Sequence, residues 1–118
     1  MSDINNITLT GNLVDDPSLS YTQNERAVCN FAIANQEKYK KNGEEKEPNF
    51  INIECWNKLA ETVAEHQSKG RKVGIEGRLR IVKNETEERT YINTKVIADT
   101  VTFLDYPNDR KEKKEGGN

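Results

Sequence analysis

Apolar residues recur in this chain at every second position over five separate runs, and one segment between the third and fourth runs changes to a helical period. Ile7, Leu9, Gly11 and Leu13 alternate with Thr8, Thr10 and Asn12 in the first run. Cys29, Phe31 and Ile33 alternate within Ala27–Asn35, and Ile51, Ile53 and Cys55 within Asn49–Trp56. Val73, Ile75, Gly77, Leu79 and Ile81 form a fourth run, and Tyr91–Leu104 a long fifth, bulged or split and stopped by Pro107. Successive side chains of a strand point to opposite faces, so each run offers one face to a core. In Lys58–Lys69 the spacing of Leu59, Ala60, Val63 and Ala64 is that of a helix, with Asn57 placed to cap its start and Gly70 to end it. Asp15-Asp16-Pro17-Ser18 reads as a turn, Asn42-Gly43 as a hairpin and Asn84–Arg89 as a hairpin tip.

The expected class is therefore all-β with one helix. Five strands with a helix between strands 3 and 4 is the order of the OB-fold, a five-stranded Greek-key barrel whose second and third strands and connecting loops bind oligonucleotides. The pattern alone leaves other small barrels open. One domain over residues 1–106 is expected, followed by a flexible charged tail, 107–118, in which residues 108–118 lack apolar side chains.

Hydrophobic residues make up 33% of the 118, a thin supply that predicts a small core, supplemented by burial between subunits. The formal net charge is −2, so the chain as a whole does not advertise affinity for a polyanion. The charge is unevenly placed, however. Residues 67–95 hold eight bases (Lys69, Arg71, Lys72, Arg78, Arg80, Lys83, Arg89 and Lys95) against four acids. A local basic surface can meet phosphates because salt screens more distant charge; a solvated charged face is the plain alternative. Cys29 and Cys55 lie in apolar runs without a CxxC pattern, which predicts buried free thiols and a reducing compartment. No apolar run is long enough to span a membrane and the start of the chain, MSDINN, is polar, so a cytoplasmic protein is expected. A single histidine, His66, and no cysteine pair at ligand spacing give no case for a metal, and no Walker-type loop occurs; no cofactor is expected.

Aromatic placement suggests a function. In the third strand Phe50 and Trp56 share a face with Asn52 and Glu54, opposite Ile51, Ile53 and Cys55. Burial does not explain two large rings there. Exposed rings beside lysines suit stacking of unpaired bases, and Tyr39, across a hairpin loop, is placed to join them. Tyr91 shares a face with Asn93 and Lys95, either to stack or to support the sheet. Arg78 and Arg80 face outward, to contact phosphates or to pair with Glu76. Lys40 and Lys41 flank the loop tip and can clamp a backbone, although Glu44, Glu45 and Glu47 dilute their field.

The residues also resemble a known family. Asn6-Ile7-Thr8-Leu9-Thr10-Gly11-Asn12-Leu13-Val14-Asp15-Asp16-Pro17, then Ala27-Val28-Cys29-Asn30-Phe31-Ala32-Ile33-Ala34, then Trp56-Asn57-Lys58-Leu59-Ala60-Glu61, then Lys69-Gly70 leading to Val73-Gly74-Ile75-Glu76-Gly77-Arg78-Leu79 stand in the order and spacing of the bacterial and phage single-stranded DNA-binding proteins, over roughly residues 4–104. The resemblance implies a sequence-tolerant binder of single-stranded DNA, a homo-oligomer and more often a tetramer than a dimer, acting in replication, recombination and repair, with possible partners among the proteins of those processes. It carries the aromatic platform to Tyr39, Phe50 and Trp56, and matches Lys58 and Lys69 to basic positions. Two departures stand out. Asn84 occupies a hairpin position where the family commonly has an aromatic. The end of the chain lacks the acidic tip finishing in Pro-Phe through which cellular members recruit partners, as expected of a short phage, plasmid or competence-type member or of a truncated chain.

Three rivals are weighed against this reading. An adaptor would use the same rings as protein anchors. A metal-dependent nuclease would need acids converging on an ion, and only Asp15 and Asp16 adjoin, in a turn. An RNA binder would stack bases equally well, and no feature reads a 2′-hydroxyl.

Overall fold

The computed structural model describes residues 2–37 and 47–104. The expected tail, 107–118, and the Asn42-Gly43 hairpin lie outside them. Six strands and one helix follow one another as β1 (Ile7–Leu13), β2 (Ser18–Tyr21), β3 (Ala27–Asn35), β4 (Asn49–Trp56), α1 (Asn57–His66), β5 (Lys72–Glu85) and β6 (Thr90–Phe103).

Five of the strands close a ring. β1 pairs with β5, β5 with β6, β6 with β4, β4 with β3, and β3 returns to β1 through Asn12 opposite Ala34 and Leu13 opposite Ile33. The β4–β6 pairing is parallel, with Ile53 beside Val96 and Glu54 beside Ile97; the others are antiparallel. This is the expected oligonucleotide-binding barrel, with its helix between the third and fourth strands of the ring. β2 is a sixth strand that alternation did not announce. It pairs only with β3 and is four residues long; Leu19 and Tyr21 alternate with Ser18 and Ser20, but two apolar residues beside a turn are too short a run to mark a strand, and all four residues are exposed.

Most of the inward residues are those the alternation selected, but Leu79 and Ile81, which continue the β5 run, are 39% and 59% exposed because that half of β5 has left the core. Cys29, Phe31 and Ile33 of β3, Ile53 and Cys55 of β4, Val73 and Ile75 of β5, and Val96 of β6 are buried. Ala60 and Val63 of α1 complete the same core, and the helix lies chiefly against β3. Each fully buried Ile or Val contributes about 1.5–3 kcal/mol relative to exposure. Among the described residues no helix is long and apolar enough to cross a membrane.

The junctions differ from expectation in instructive ways. Asn57 is not a capping residue. It is the first residue of α1, at φ 62°, and Trp56 precedes it without a side-chain cap. The chain thus leaves a strand and enters a helix across one left-handed residue, a conformation Asn tolerates better than most. Helix α1 stops at His66, short of Lys69. Gly70, at φ 91°, serves the next turn instead: Arg71 N–H donates to Ser68 C=O at 3.1 Å, and the third residue of such a turn needs positive φ. That turn is tied to the first strand, because Asp16 Oδ1 accepts from Lys69 N–H at 2.8 Å and Leu13 C=O accepts from Gly70 N–H at 2.9 Å.

β5 and β6 run on beyond the ring as a two-stranded arm. Its root carries a bulge between Glu76 and Gly77. A Cβ on Gly77 would lie 2.0 Å from Ile97 O, so a glycine is required where β6 crosses closest. Of the Gly74/Gly77 pair, only Gly77 answers to close backbone approach; a Cβ on Gly74 would meet ordinary contacts.

Candidate nucleic-acid interface

The outer face of β4 is built by the alternation that fills the core. Phe50, Asn52, Glu54 and Trp56 point away from Ile51, Ile53 and Cys55, and β3 runs in continuous register beside them, Ala34 opposite Phe50 and Val28 opposite Trp56. Phe50 is 63% exposed. Phe50 and Trp56 are six residues apart on one strand, about 20 Å, so they can engage bases several nucleotides apart but not neighbours.

Trp56 is half-buried rather than free. Its indole Nε1–H donates to Glu54 Oε2 at 2.7 Å, and the Arg26 guanidinium carbon stands 4.6 Å from the ring centroid. Arg26 Nε also donates to Asn57 Oδ1 at 3.4 Å. Planar guanidinium groups stack on aromatic faces, so Arg26 and Trp56 form a mixed platform. Arg26 was not among the expected site residues, because it is a single base in an acidic part of the sequence. Beside the platform lies an open concavity of about 310 Å³, bordered by Arg26, Trp56, Arg78, Ile97 and Asp99.

Across the sheet, Arg78 and Arg80 share the outward face of β5, Arg80 standing opposite Lys95 of β6. Arg78 pairs with Asp99, at 3.8 Å and with both side chains at least half exposed, rather than with Glu76. Asn84 faces Tyr91 directly across the arm, so a ring does stand at that rung, supplied by the partner strand. Tyr91 is exposed, with the Arg89 guanidinium 5.6 Å from its centroid. Lys58, on the first turn of α1, and Lys69, in the turn beyond it, are exposed. Tyr39, Lys40 and Lys41 lie outside the described residues.

Glu54 is the residue that alternation placed on this face but did not mark as special. It is 7% exposed, and its Oε1 accepts from Lys95 Nζ at 2.6 Å. Burial pushes its carboxyl up, but the hydrogen bonds from Lys95 and Trp56 and the charges of Lys95 and Arg80 outweigh burial and hold it below the ordinary glutamate value of 4.5. A lowered folded pKa means that the unfolded chain takes the proton first. The stabilisation is complete above the ordinary value and is lost as pH falls through the lowered one. Glu54→Gln should therefore cost stability at pH 7, with the gap to the native chain closing as the solution is acidified below about pH 4.5. Urea unfolding of both chains at neutral and acid pH measures this, and a gap that does not change with pH would refute it.

Among the described residues no three His, Cys, Asp or Glu side chains converge as a metal site would require. Asp16 is instead spent on the Lys69 turn.

The single-strand binding protein family matches residues 4–104. The chain belongs to that family. Among curated members it is 36% identical to single-stranded DNA-binding protein 3 of Streptococcus agalactiae serotype V over 117 residues, 98% of this chain and 84% of that one. It is 38% identical to single-stranded DNA-binding protein 2 of Clostridium acetobutylicum over 109 residues, 90% of this chain and 80% of that one. Against the single-stranded DNA-binding protein of Oceanobacillus iheyensis it is 38% identical over 103 residues, 86% of this chain but 64% of the relative. The chain thus spans most of the length of two of these relatives and just under two thirds of the third.

Proposed function

We infer that this chain binds single-stranded DNA without reading its sequence, in replication, recombination and repair. The observation that carries the reading is the Trp56–Arg26 platform on the outer sheet face, set beside Arg78 and Arg80, in a chain of the single-strand binding protein family. Bases stack on Trp56 with Arg26, on Phe50 and on Tyr91, with Tyr39 joining from the loop. Arg78, Arg80, Lys58, Lys69, Lys40 and Lys41 track phosphates. No bond is broken and no cofactor enters. The working form is a homo-oligomer, a tetramer before a dimer, in the cytoplasm, with residues 107–118 as a tail outside the binding domain.

Titration of tryptophan fluorescence with an oligothymidylate tests this, because Trp56 is the single tryptophan. Quenching that weakens steeply with salt and is absent with duplex DNA is the expected result. Tight binding without quenching would remove Trp56 from the site. No binding at low salt would favour the protein adaptor.

A further inference from the structure

We propose that Glu54 governs how much of the basic face a DNA strand can use: it withholds Lys95 from the phosphates while fixing the Trp56 ring, so that an arriving phosphate must compete with Glu54 for Lys95. The inference rests on the single-strand-binding reading above.

A nearly buried carboxylate is an unexpected group on a surface meant for a polyanion. Burying a charge is costly unless it is paired and hydrogen-bonded, and here both oxygens are engaged. Oε1 takes Lys95 Nζ at 2.6 Å and Oε2 takes the Trp56 indole N–H at 2.7 Å. The indole is a donor only, so this bond sets the direction of the ring edge, and with it the ring face that Arg26 overlies at 4.6 Å. One side chain therefore touches both halves of the binding chemistry, the stacking ring and a cation.

The cations on this face are tied down to different degrees. The Arg78–Asp99 pair is long, at 3.8 Å, with side chains 50% and 69% exposed. Such solvated pairs are worth little and are easily traded for phosphate. The Lys95–Glu54 pair is short, with side chains 26% and 9% exposed. A charge-assisted bond of that length in a half-dry setting is much stronger. Arg78 and Arg80 can therefore exchange their counterions for DNA, whereas Lys95 is already neutralised from within and releases no counterion when DNA arrives.

Salt dependence reads this difference directly, because each phosphate contact to a single strand adds about −0.7 to the slope of log K against log salt. Glu54→Gln keeps an oxygen for the Trp56 N–H but gives up the charge, so it frees Lys95. Binding of a labelled oligothymidylate, followed by anisotropy, should be tighter than native at low salt, with a slope steeper by about 0.7. The variant's advantage should then shrink by roughly 2.5-fold between 50 and 200 mM salt. Its tryptophan emission maximum should match the native one, while Glu54→Val, which removes the acceptor, should shift it. Lys95→Gln in the native background should leave the slope unchanged, which keeps the inference exposed even if Glu54 variants fold poorly. In Glu54→Gln the further change Lys95→Gln should return the slope to native. A native-background Lys95→Gln that flattens the slope by about 0.7 would show Lys95 already on phosphate and overturn the proposal. So would a Glu54→Gln protein that binds with native slope. If the native protein fails to bind at all, the single-strand reading falls and takes this inference with it; if it binds and the slopes do not differ, only the inference falls.

Discussion

Gly77→Ala is expected to lower the thermal midpoint of the barrel by at least roughly 10 °C, a loss of about 3 kcal/mol or more. The new Cβ would sit 2.0 Å from Ile97 O and 2.9 Å from Ala98 Cα. Both are backbone atoms of the neighbouring strand, so no rotamer change relieves the clash. Relief requires β6 to move away from β5 at the bulge, and β6 is also the strand that closes the ring onto β4. Gly74→Ala is the internal control. Its Cβ would meet Leu104 Cδ1 at 3.5 Å and Thr102 Cβ at 3.7 Å, ordinary contacts. Heat unfolding of the two variants side by side checks the argument. Equal midpoints would mean that the β5–β6 crossing yields freely.

Trp56→Ala should weaken oligothymidylate binding by roughly ten- to a hundredfold, the range expected for one lost base–aromatic stack. The slope of binding against salt should stay near native, because a ring is lost and no phosphate contact. Trp56→Phe keeps a stacking surface under Arg26 and should recover part of the loss, although it gives up the N–H that Glu54 accepts. Anisotropy of a labelled strand provides the measurement in the absence of the tryptophan signal. Undiminished affinity in Trp56→Ala would show that this end of β4 is not where bases stack.

Much of the barrel could be read from the chain because β1, β3 and the first half of β5 have one wetter and one dry face, and such strands write their orientation into every second residue, whereas β4 and β6 each bury three consecutive residues where they pair. Cys29, Phe31, Ile33, Ile53 and Cys55 were picked out as inward by that rule and are buried. β2 is hidden because it is only four residues long, directly after a turn, and its one alternating pair, Leu19 and Tyr21, is too short a signal. At Asn57 the sequence is ambiguous, because a capping residue and a left-handed junction residue favour the same side chain and only the backbone angle distinguishes them. The candidate site was legible to the extent that it depends on strand face. Phe50, Trp56, Arg78 and Arg80 stand outward as expected. What depends on pairing between distant strands was not legible. Glu54 is buried because β3 and β6 flank it, and its partner Lys95 comes from 41 residues away. Tyr91 opposite Asn84 is likewise a matter of register, which alternation does not supply. Tyr39, Lys40 and Lys41 fall outside the described residues.

Cys29 and Cys55 stand opposite one another on β3 and β4, both fully buried and both free. The Cys29 sulfur hydrogen-bonded to it, together with burial, pushes the Cys55 thiol far above its ordinary range, so it stays protonated and a poor nucleophile while the strands are joined. With both sulfurs fully buried, alkylation of Cys55 is a clock for the opening of the barrel's centre, beneath the very strand that carries Phe50 and Trp56 on its other side.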